Sequence, residues 1–151
     1  MKIILAADGT AFSDAAGDML AKLNLGAGDS VMIISVVDMA FPLAIDIYGG
    51  YLPDTTELEK AASENAAKVI EATKSKLQGF FGSKGVDITS DVLFGSPESR
   101  IVETAEDNKA DLIVIGSHGY KQWERLLLGS VSNSVVHHAP CSVMIVRSPA
   151  G

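Results

Sequence analysis

Glycine and hydroxyl residues between positions 116 and 132 are spaced in a way that suits phosphate binding. Two residues separate Gly116 from Gly119, nine separate Gly119 from Gly129, and a predicted helix then opens with Ser130, Val131 and Ser132. Glycines let backbone N–H groups approach an anion closely, and a helix N-terminus adds oriented donors and a favourable dipole. The segment contains neither the Gly-Lys-Ser/Thr of a Walker A loop nor G-x-G-x-x-G. We predict a phosphate site of another type; the alternative is that the glycines only form a tight turn and start a helix.

The hydrophobic pattern predicts the scaffold that positions this segment. Five short apolar runs occur along the chain, at Ile3–Ala7, Val31–Val37, Val86–Val92, Leu112–Ile115 and Val143–Val146. Most of them are apolar without strict alternation, which is typical of parallel strands covered by helices on both faces. We therefore interpret all five as strands.

Signals for four helices lie between these runs. Ser13 is a candidate N-cap for a helix that runs to about Leu23, and Thr56–Glu59 form a capping box for a second helix. Ser96 followed by Pro97 marks the start of a third helix. A fourth helix starts near Gly129–Ser130 and stops at Pro140. The second helix has one apolar stripe, formed by Leu58, Ala62, Ala66, Val69, Ile70, Thr73 and Leu77. The alternation predicts a single α/β domain over residues 1–151, with a doubly wound, mainly parallel, five-stranded sheet and helices on both faces. Ligands of such sheets bind at the carboxyl ends of strands where the strand order reverses.

Composition excludes several classes of function. The chain has 151 residues and a net charge of −7, which disfavours binding to nucleic acid or to an anionic membrane. Cys141 is the only cysteine, so an intramolecular disulfide and a multi-cysteine zinc site are excluded, and we interpret it as a packing residue. His137 and His138 point about 100° apart on a helix and cannot chelate one metal. With neither a signal peptide nor a run of about 20 uncharged residues, we expect a cytoplasmic protein.

Two long connections have no assigned role. The segment from Asp38 to Pro53 is either a flexible surface excursion or a lid or partner-binding loop. Trp123 and the following leucines, Leu126–Leu128, are interpreted as a plug against the body of the protein or as a dimer contact.

The pattern Gly116-x2-Gly119-x9-Gly129-Ser130 resembles that of the ATP-binding branch of the universal stress protein family. The resemblance extends over nearly the whole chain, through Asp8 after the first strand, Val36-Val37-Asp38 at the end of the second, and the terminal segment Pro140–Val146. It implies the strand order 3-2-1-4-5, a homodimer, and ATP or another adenine nucleotide bound between the first and fourth strands. Thr10 and Ala6 are small departures from the family pattern.

The resemblance also implies roles for individual residues. The backbone of Val36 would read the adenine edge. The ribose and phosphates would contact Ala6, Ala7, Asp8, Ile115, Gly116, His118 and Gly119, and the phosphate tail would be held by Gly129, Ser130, Val131 and Ser132. Asp8 would meet a ribose hydroxyl or a phosphate-bound Mg²⁺, although aspartate at this place also serves as a turn former. For His118 the alternative is an ordinary solvated loop histidine.

These expectations lead to a nucleotide-dependent switch in stress response or regulation. One alternative is an enzyme that slowly hydrolyses ATP or transfers a phosphate to a hydroxyl such as that of Ser130. Efficient catalysis is not expected, because the phosphate loop has no lysine and no evident general base besides Asp8. The other alternative is a structural dimer without ligand. In the expected strand order the last strand, 142–146, is an apolar edge without internal charge, which predicts antiparallel pairing with a second copy unless residues 120–128 shield it.

Overall fold

The computed structural model describes residues 1–39, 55–119 and 127–148. Within these ranges strands and α-helices alternate. In chain order they are β1 (Lys2–Ala6), α1 (Ala11–Leu20), β2 (Ser30–Asp38), α2 (Thr55–Phe81), β3 (Asp87–Gly95), α3 (Pro97–Asp107), β4 (Leu112–Gly116), α4 (Ser130–His138) and β5 (Ser142–Val146), with a short 3-10 turn at Gly82–Lys84 after α2. The predicted alternation of five strands with four helices is therefore confirmed. Most of the connection 38–53, and Trp123 with Leu126, lie outside the described residues.

The strands form one parallel sheet in the order β3-β2-β1-β4-β5, as predicted. β1 lies at the centre, where Leu5 is in register with Ile33 of β2 and Val114 of β4. The chain proceeds outward from β1 to β3 and then returns to the other side of β1 to form β4. The strand order therefore reverses between β1 and β4, and the ends of these two strands lie side by side.

Helices cover both faces of the sheet, which explains why most of the strands read as continuous apolar runs; the edge strand β3 is the exception, with alternating burial. One buried cluster combines odd-numbered residues of β1 and β2 with Leu77 and Phe81 of α2. The other combines Ile4 and Ile34 with residues of α3 and α4. Because successive strand residues point to opposite faces, both sets must be apolar. No helix in the described ranges is both long enough and apolar enough to span a bilayer.

The start of α1 differs from the prediction. The N-cap is Thr10, whose Oγ1 accepts a hydrogen bond from the backbone N–H of Ser13 at 3.3 Å. Ser13 lies in the first turn, where its hydroxyl accepts from Gly9 N–H and donates to the Thr10 carbonyl, at 3.1 Å in both cases. The helix ends at Leu20 rather than near Leu23. Either hydroxyl could have capped the helix, and only the position of the preceding turn decides between them.

α2 also departs from the expected pattern at its N-terminus. The helix begins at Thr55, before the predicted cap Thr56, and Leu58 is 61% exposed although it belongs to the predicted apolar stripe. Ala66, Ile70 and Leu77 of the same stripe are buried. At 1.5 Å per residue the helix is about 40 Å long, whereas the nine-residue strands beneath it are about 30 Å long. The first turns therefore extend beyond the carboxyl edge of the sheet, where Leu58 does not reach the core formed by the described strands.

Candidate functional site

The carboxyl edge of the sheet holds a cavity of about 610 Å³, a volume typical of small-molecule sites. We call it the strand-end cavity. It is lined by all twelve residues that the resemblance implicated, namely Ala6, Ala7, Asp8, Val36, Ile115, Gly116, His118, Gly119, Gly129, Ser130, Val131 and Ser132. The structure brings them together from β1, β2, β4 and the start of α4, whereas their role in holding a ligand stays a prediction.

The cavity is also lined by residues that sequence reasoning did not select. They come from α1, β2, α2 and α3, and include Ser13, Ser35, Asn65, Glu98 and Ile101. The available sequence signal was topological, because α3 starts directly after β3 and so has to begin at the same edge of the sheet. Nothing in the glycine pattern points to them.

The early end of β1 opens the cavity. Ala7 N–H donates to the Ile34 carbonyl at 2.9 Å, and the chain then turns away at Gly9, whose φ is +81°. β2 continues to Asp38. Because the backbone groups of successive residues point to opposite sides of a strand, Val36 directs its N–H and C=O to the same side as Ile34, into the space where β1 has ended. Among the described residues no backbone group pairs with them there.

Asp8 holds the turn between β1 and α1. Its Oδ1 accepts hydrogen bonds from Thr10 N–H at 2.9 Å and from Thr10 Oγ1–H at 2.6 Å. Its Oδ2 faces the opposite strand end, since a Cβ added to Gly119 would lie 3.1 Å from that oxygen. Asp8 is thus a turn former that also presents one carboxylate oxygen to the cavity.

The three glycines of the motif are needed for space. Their φ angles lie outside the left-handed region, unlike that of Gly9. A Cβ on Gly116 would lie 2.8 Å from the backbone carbonyl carbon of Phe12, so this glycine lets α1 approach β4. A Cβ on Gly129 would lie 3.2 Å from the Ser117 carbonyl oxygen. Gly116 and Gly129 therefore permit close backbone packing, and Gly119 keeps the approach to Asp8 open.

Backbone contacts join the two ends of the segment 116–129, which we call the glycine loop. Gly129 N–H and Ser132 Oγ–H both donate to the Ser117 carbonyl, at 2.8 and 2.9 Å. Ser117 N–H in turn donates to the Val146 carbonyl of β5 at 2.8 Å. Ser132 is 2% exposed, and its single hydroxyl proton is directed at backbone carbonyls. The Ser132 hydroxyl therefore closes the loop, and the group of Ser132 that could donate to a ligand is its backbone N–H.

The N-terminus of α4 faces the cavity with free donors. The first bond of the helix runs from Asn133 N–H to the Gly129 carbonyl at 2.9 Å, and the N-cap Gly129 has no side chain that could cap it. Among the described residues, no hydrogen bond takes up the N–H groups of Ser130, Val131 and Ser132. Three unpaired donors at the positive end of a helix dipole form an anion-binding arrangement.

His118 is a packing residue of the loop. It is 9% exposed, its Nδ1 lies 3.0 Å from Ser117 Oγ, and its ring centre lies 5.1 Å from that of Phe12 at an interplanar angle of 50°. Its Nε2 is sealed from solvent and has no hydrogen-bond partner among the described residues. The interpretation as a solvated loop histidine is therefore wrong, because the ring fills the gap between the loop and α1.

The cavity has carboxylates, and neither lysine nor arginine is among its described lining residues. Asp8, Asp38 and Glu98 line it, together with the neutral donors of α4. No group of three histidine, cysteine or acidic residues in the described ranges could hold a metal ion by itself. A phosphate would consequently be bound by backbone dipoles, and a cation at Asp8 would need phosphate oxygens to complete its coordination.

The parallel sheet with a cavity at its reversal point defines a doubly wound α/β protein, a class in which ligands bind at the strand ends. The family model of the universal stress protein family matches residues 1–147, and the chain belongs to that family. A universal stress protein of Methanocaldococcus jannaschii is 33% identical over 148 residues, which cover 98% of this chain and 82% of that protein. The resemblance inferred from the glycine spacing is thus confirmed.

Solved structures of family members share the fold. A universal stress protein family protein of Arabidopsis thaliana, solved with AMP bound, has a TM-score of 0.68 at 14% identity, and the match covers 99% of this chain and 93% of that one. A universal stress protein in complex with cAMP has a TM-score of 0.60 at 22% identity, with 99% and 98% covered. At these identities the likeness concerns the fold.

Proposed function

We propose that this protein binds an adenine nucleotide in the strand-end cavity and acts as a nucleotide-dependent switch in stress response or regulation. The observation that carries the proposal is the pairing of two kinds of unsatisfied backbone groups in one cavity. Free N–H donors at the start of α4 suit a phosphate, and the donor and acceptor of Val36 suit the edge of a base. The AMP and cAMP held by two solved family members support the same class of ligand.

At the base end, the backbone of Val36 matches adenine. Adenine presents N1 as an acceptor beside its 6-amino donor, and Val36 presents N–H and C=O toward the gap beyond β1. Guanine and hypoxanthine present the opposite order, an N1–H donor beside a 6-oxo acceptor. The side chains of Ile34, Ile101 and Ile115 line the cavity as apolar walls for the ring.

At the phosphate end, the free N–H groups of Ser130, Val131 and Ser132 would bind the phosphate oxygens. Gly119 would let the loop backbone approach, and Asp8 Oδ2 would meet a ribose hydroxyl or a Mg²⁺ bound to the phosphates. Because the described lining has no lysine or arginine, we expect ATP to bind with Mg²⁺, which offsets the repulsion from Asp8.

A single backbone donor can be removed to test this arrangement. Ser130 is the first residue of α4, and Gly129 before it is extended, at φ −61° and ψ 157°. Proline is well tolerated there, so Ser130→Pro removes one N–H and the hydroxyl while the helix keeps its start. Ser130→Ala removes the hydroxyl alone and is the matched control.

Calorimetry with AMP and adenosine separates the outcomes. We expect Ser130→Pro to weaken AMP binding about tenfold or more, the effect of one charge-assisted hydrogen bond, with adenosine affinity unchanged. Ser130→Ala should bind AMP like the unmodified protein. Equal AMP affinity in all three proteins would exclude α4 as the phosphate site. Absence of AMP, cAMP and Mg-ATP binding to the unmodified protein, with no nucleotide released by acid, would overturn the proposed function and favour the ligand-free structural dimer.

The enzymatic alternative rests on the Ser130 hydroxyl, which is exposed at the phosphate end. Phosphoryl transfer depends on positioned cations, and the described lining contains neither lysine nor arginine. We therefore expect at most slow ATP hydrolysis or autophosphorylation. Timed release of phosphate from Mg-ATP, compared between the unmodified protein and Ser130→Ala, distinguishes a binder from an enzyme that modifies itself.

We also propose that the protein forms a homodimer through β5, the edge strand beside β4. The Val146 carbonyl accepts from Ser117 N–H on the β4 side, so by alternation Val143 and Ile145 direct their N–H and C=O groups outward. An antiparallel partner strand would satisfy those groups. The alternative, shielding by residues 120–128, involves a segment that lies mostly outside the described residues.

A further inference from the structure

Glu98 contributes a half-buried carboxylate to the strand-end cavity, and neither the glycine motif nor the phosphate site accounts for it. It lies in the first turn of α3. In the described part of the chain no hydrogen bond or ion pair engages its side chain. The nearest cation along the helix, Arg100, pairs with Glu103 at 2.7 Å instead. The first turn of a helix favours an acidic side chain, and the carboxylate keeps its capacity to accept a hydrogen bond from a ligand in the cavity.

The position of α3 over the sheet brings Glu98 into the same cavity as Val36. α3 runs from the carboxyl end of β3 back toward the start of β4, and its residue Ile101 is 3% exposed in one cluster with Ile34 and Val36. Glu98 precedes Ile101 by three residues and therefore lies on the same face of the helix. It is about 4.5 Å nearer to the carboxyl edge, whereas Val36 lies about 6.6 Å beyond Ile34 along β2. Glu98 and Val36 are therefore both displaced toward the carboxyl edge, and both line the strand-end cavity.

We propose that the Glu98 carboxylate determines base specificity by accepting a hydrogen bond from the 6-amino group of the purine. This inference rests on the proposed adenine-nucleotide site. A 6-amino group has two hydrogens, and the one beside N1 would donate to the Val36 carbonyl. The second hydrogen, on the N7 side, needs another acceptor, and Glu98 supplies it. A 6-oxo purine places an acceptor oxygen there, which the carboxylate repels, so Glu98 adds discrimination to that of the Val36 backbone.

AMP and IMP are the probes, because they carry the same phosphate and ribose and differ only in the 6-amino or 6-oxo group. Their affinities are measured by calorimetry for the unmodified protein, for Glu98→Gln and for Glu106→Gln. Glutamine at position 98 keeps one acceptor oxygen but adds an NH2 that can donate to a 6-oxo group. Glu106 is exposed on the same helix, so its variant controls for the loss of one negative charge.

We expect the ratio of AMP to IMP affinity to fall about tenfold in Glu98→Gln, the effect of a charge-assisted hydrogen bond, and to stay unchanged in Glu106→Gln. Normal AMP binding with the same ratio in all three folded proteins would overturn the role of Glu98 and leave the proposed function intact. Failure of the unmodified protein to bind either nucleotide would overturn both. An equal change in both glutamine variants would overturn a specific contact, because it would show a general effect of charge.

Discussion

Substitutions at two of the motif glycines should have different consequences: a side chain at Gly116 should lower stability, and a side chain at Gly119 should prevent nucleotide binding. In Gly116→Ala the new methyl carbon would lie 2.8 Å from the carbonyl carbon and the Cβ of Phe12, and 2.9 Å from its carbonyl oxygen. Carbon atoms pack at about 3.5–4.0 Å. α1 and β4 would therefore have to separate by roughly 0.7 Å or more. Backbone atoms cannot rotate away as a side chain can, so we expect the ordinary cost of overpacking, about 1–3 kcal/mol in the free energy of unfolding.

Gly119→Val should leave stability within about 0.5 kcal/mol of the unmodified protein. Gly119 is exposed, its φ is not in the left-handed region, and the neighbour that its Cβ would meet is Asp8 Oδ2, at 3.1 Å. A branched side chain at this place stands between Asp8 and the loop backbone. We therefore expect Gly119→Val to abolish AMP and Mg-ATP binding in a folded protein.

Thermal unfolding without ligand and calorimetry with AMP measure the two effects. For a chain of this size 1 kcal/mol corresponds to about 2–4 °C in Tm, so Gly116→Ala should lower Tm by about 2–12 °C. Gly79→Ala is the matched control: it lies inside α2 with nothing within 4 Å of an added Cβ, and should be neutral or stabilising. An unchanged Tm in Gly116→Ala would refute the close approach of Phe12. Unchanged nucleotide affinity in Gly119→Val would refute the role of the glycine loop in binding.

Four further outcomes are expected. Asp8→Asn keeps the Oδ1 acceptor of the turn and should lower Mg-ATP affinity by about 1–3 kcal/mol at unchanged Tm, whereas Asp8→Ala should lower Tm as well; unchanged Mg-ATP affinity in both variants would leave Asp8 a turn former only. His118→Phe keeps the ring packing but removes both the unpartnered Nε2 and the Nδ1 that lies 3.0 Å from the buried Ser117 Oγ, so thermal unfolding should show a stability lower by about 1–3 kcal/mol. Calorimetry should show unchanged AMP binding, and a loss of binding would show that the imidazole contacts the ligand. Val143→Pro removes an outward N–H of the β5 edge, so light scattering should show that this variant is a folded monomer. If the unmodified protein is already a monomer at micromolar concentration, the proposed dimer is refuted. Burial, with a smaller contribution from Asp111, raises the pKa of the Cys141 thiol, so its alkylation by iodoacetamide at pH 8 should be slower in the folded protein than in urea, and equal rates would contradict this.

The proline variant at β5 is preferable to a charge for a structural reason. Val143 and Ile145 pack against the core cluster under α3 and α4. An aspartate at either position would therefore disturb the monomer as well as a dimer seam. Proline at Val143 leaves the hydrogen bonds to β4 in place, because those come from Ser142, Met144 and Val146 by alternation.

Much of this fold could be predicted from the sequence because its signals are local. Apolar runs of four to seven residues, Pro97 at a helix start and Gly129 before a helix each predict an element without reference to distant residues. The alternation of strands and helices then restricts the topology to a doubly wound sheet. The spacing of Gly116, Gly119 and Gly129, together with family resemblance, led to residues that line one cavity.

The tertiary structure decided what each of those residues does. Gly116 packs against Phe12, Ser132 closes the loop onto Ser117, and His118 is buried against Phe12. Local sequence does not show these roles, because the partner of each residue lies in another part of the chain. Glu98 enters the cavity only through the position of α3 above β2. Local sequence patterns report the conformation that a segment prefers, whereas these roles depend on which surfaces meet when β1 ends two residues before Asp8 and β2 continues beside the gap.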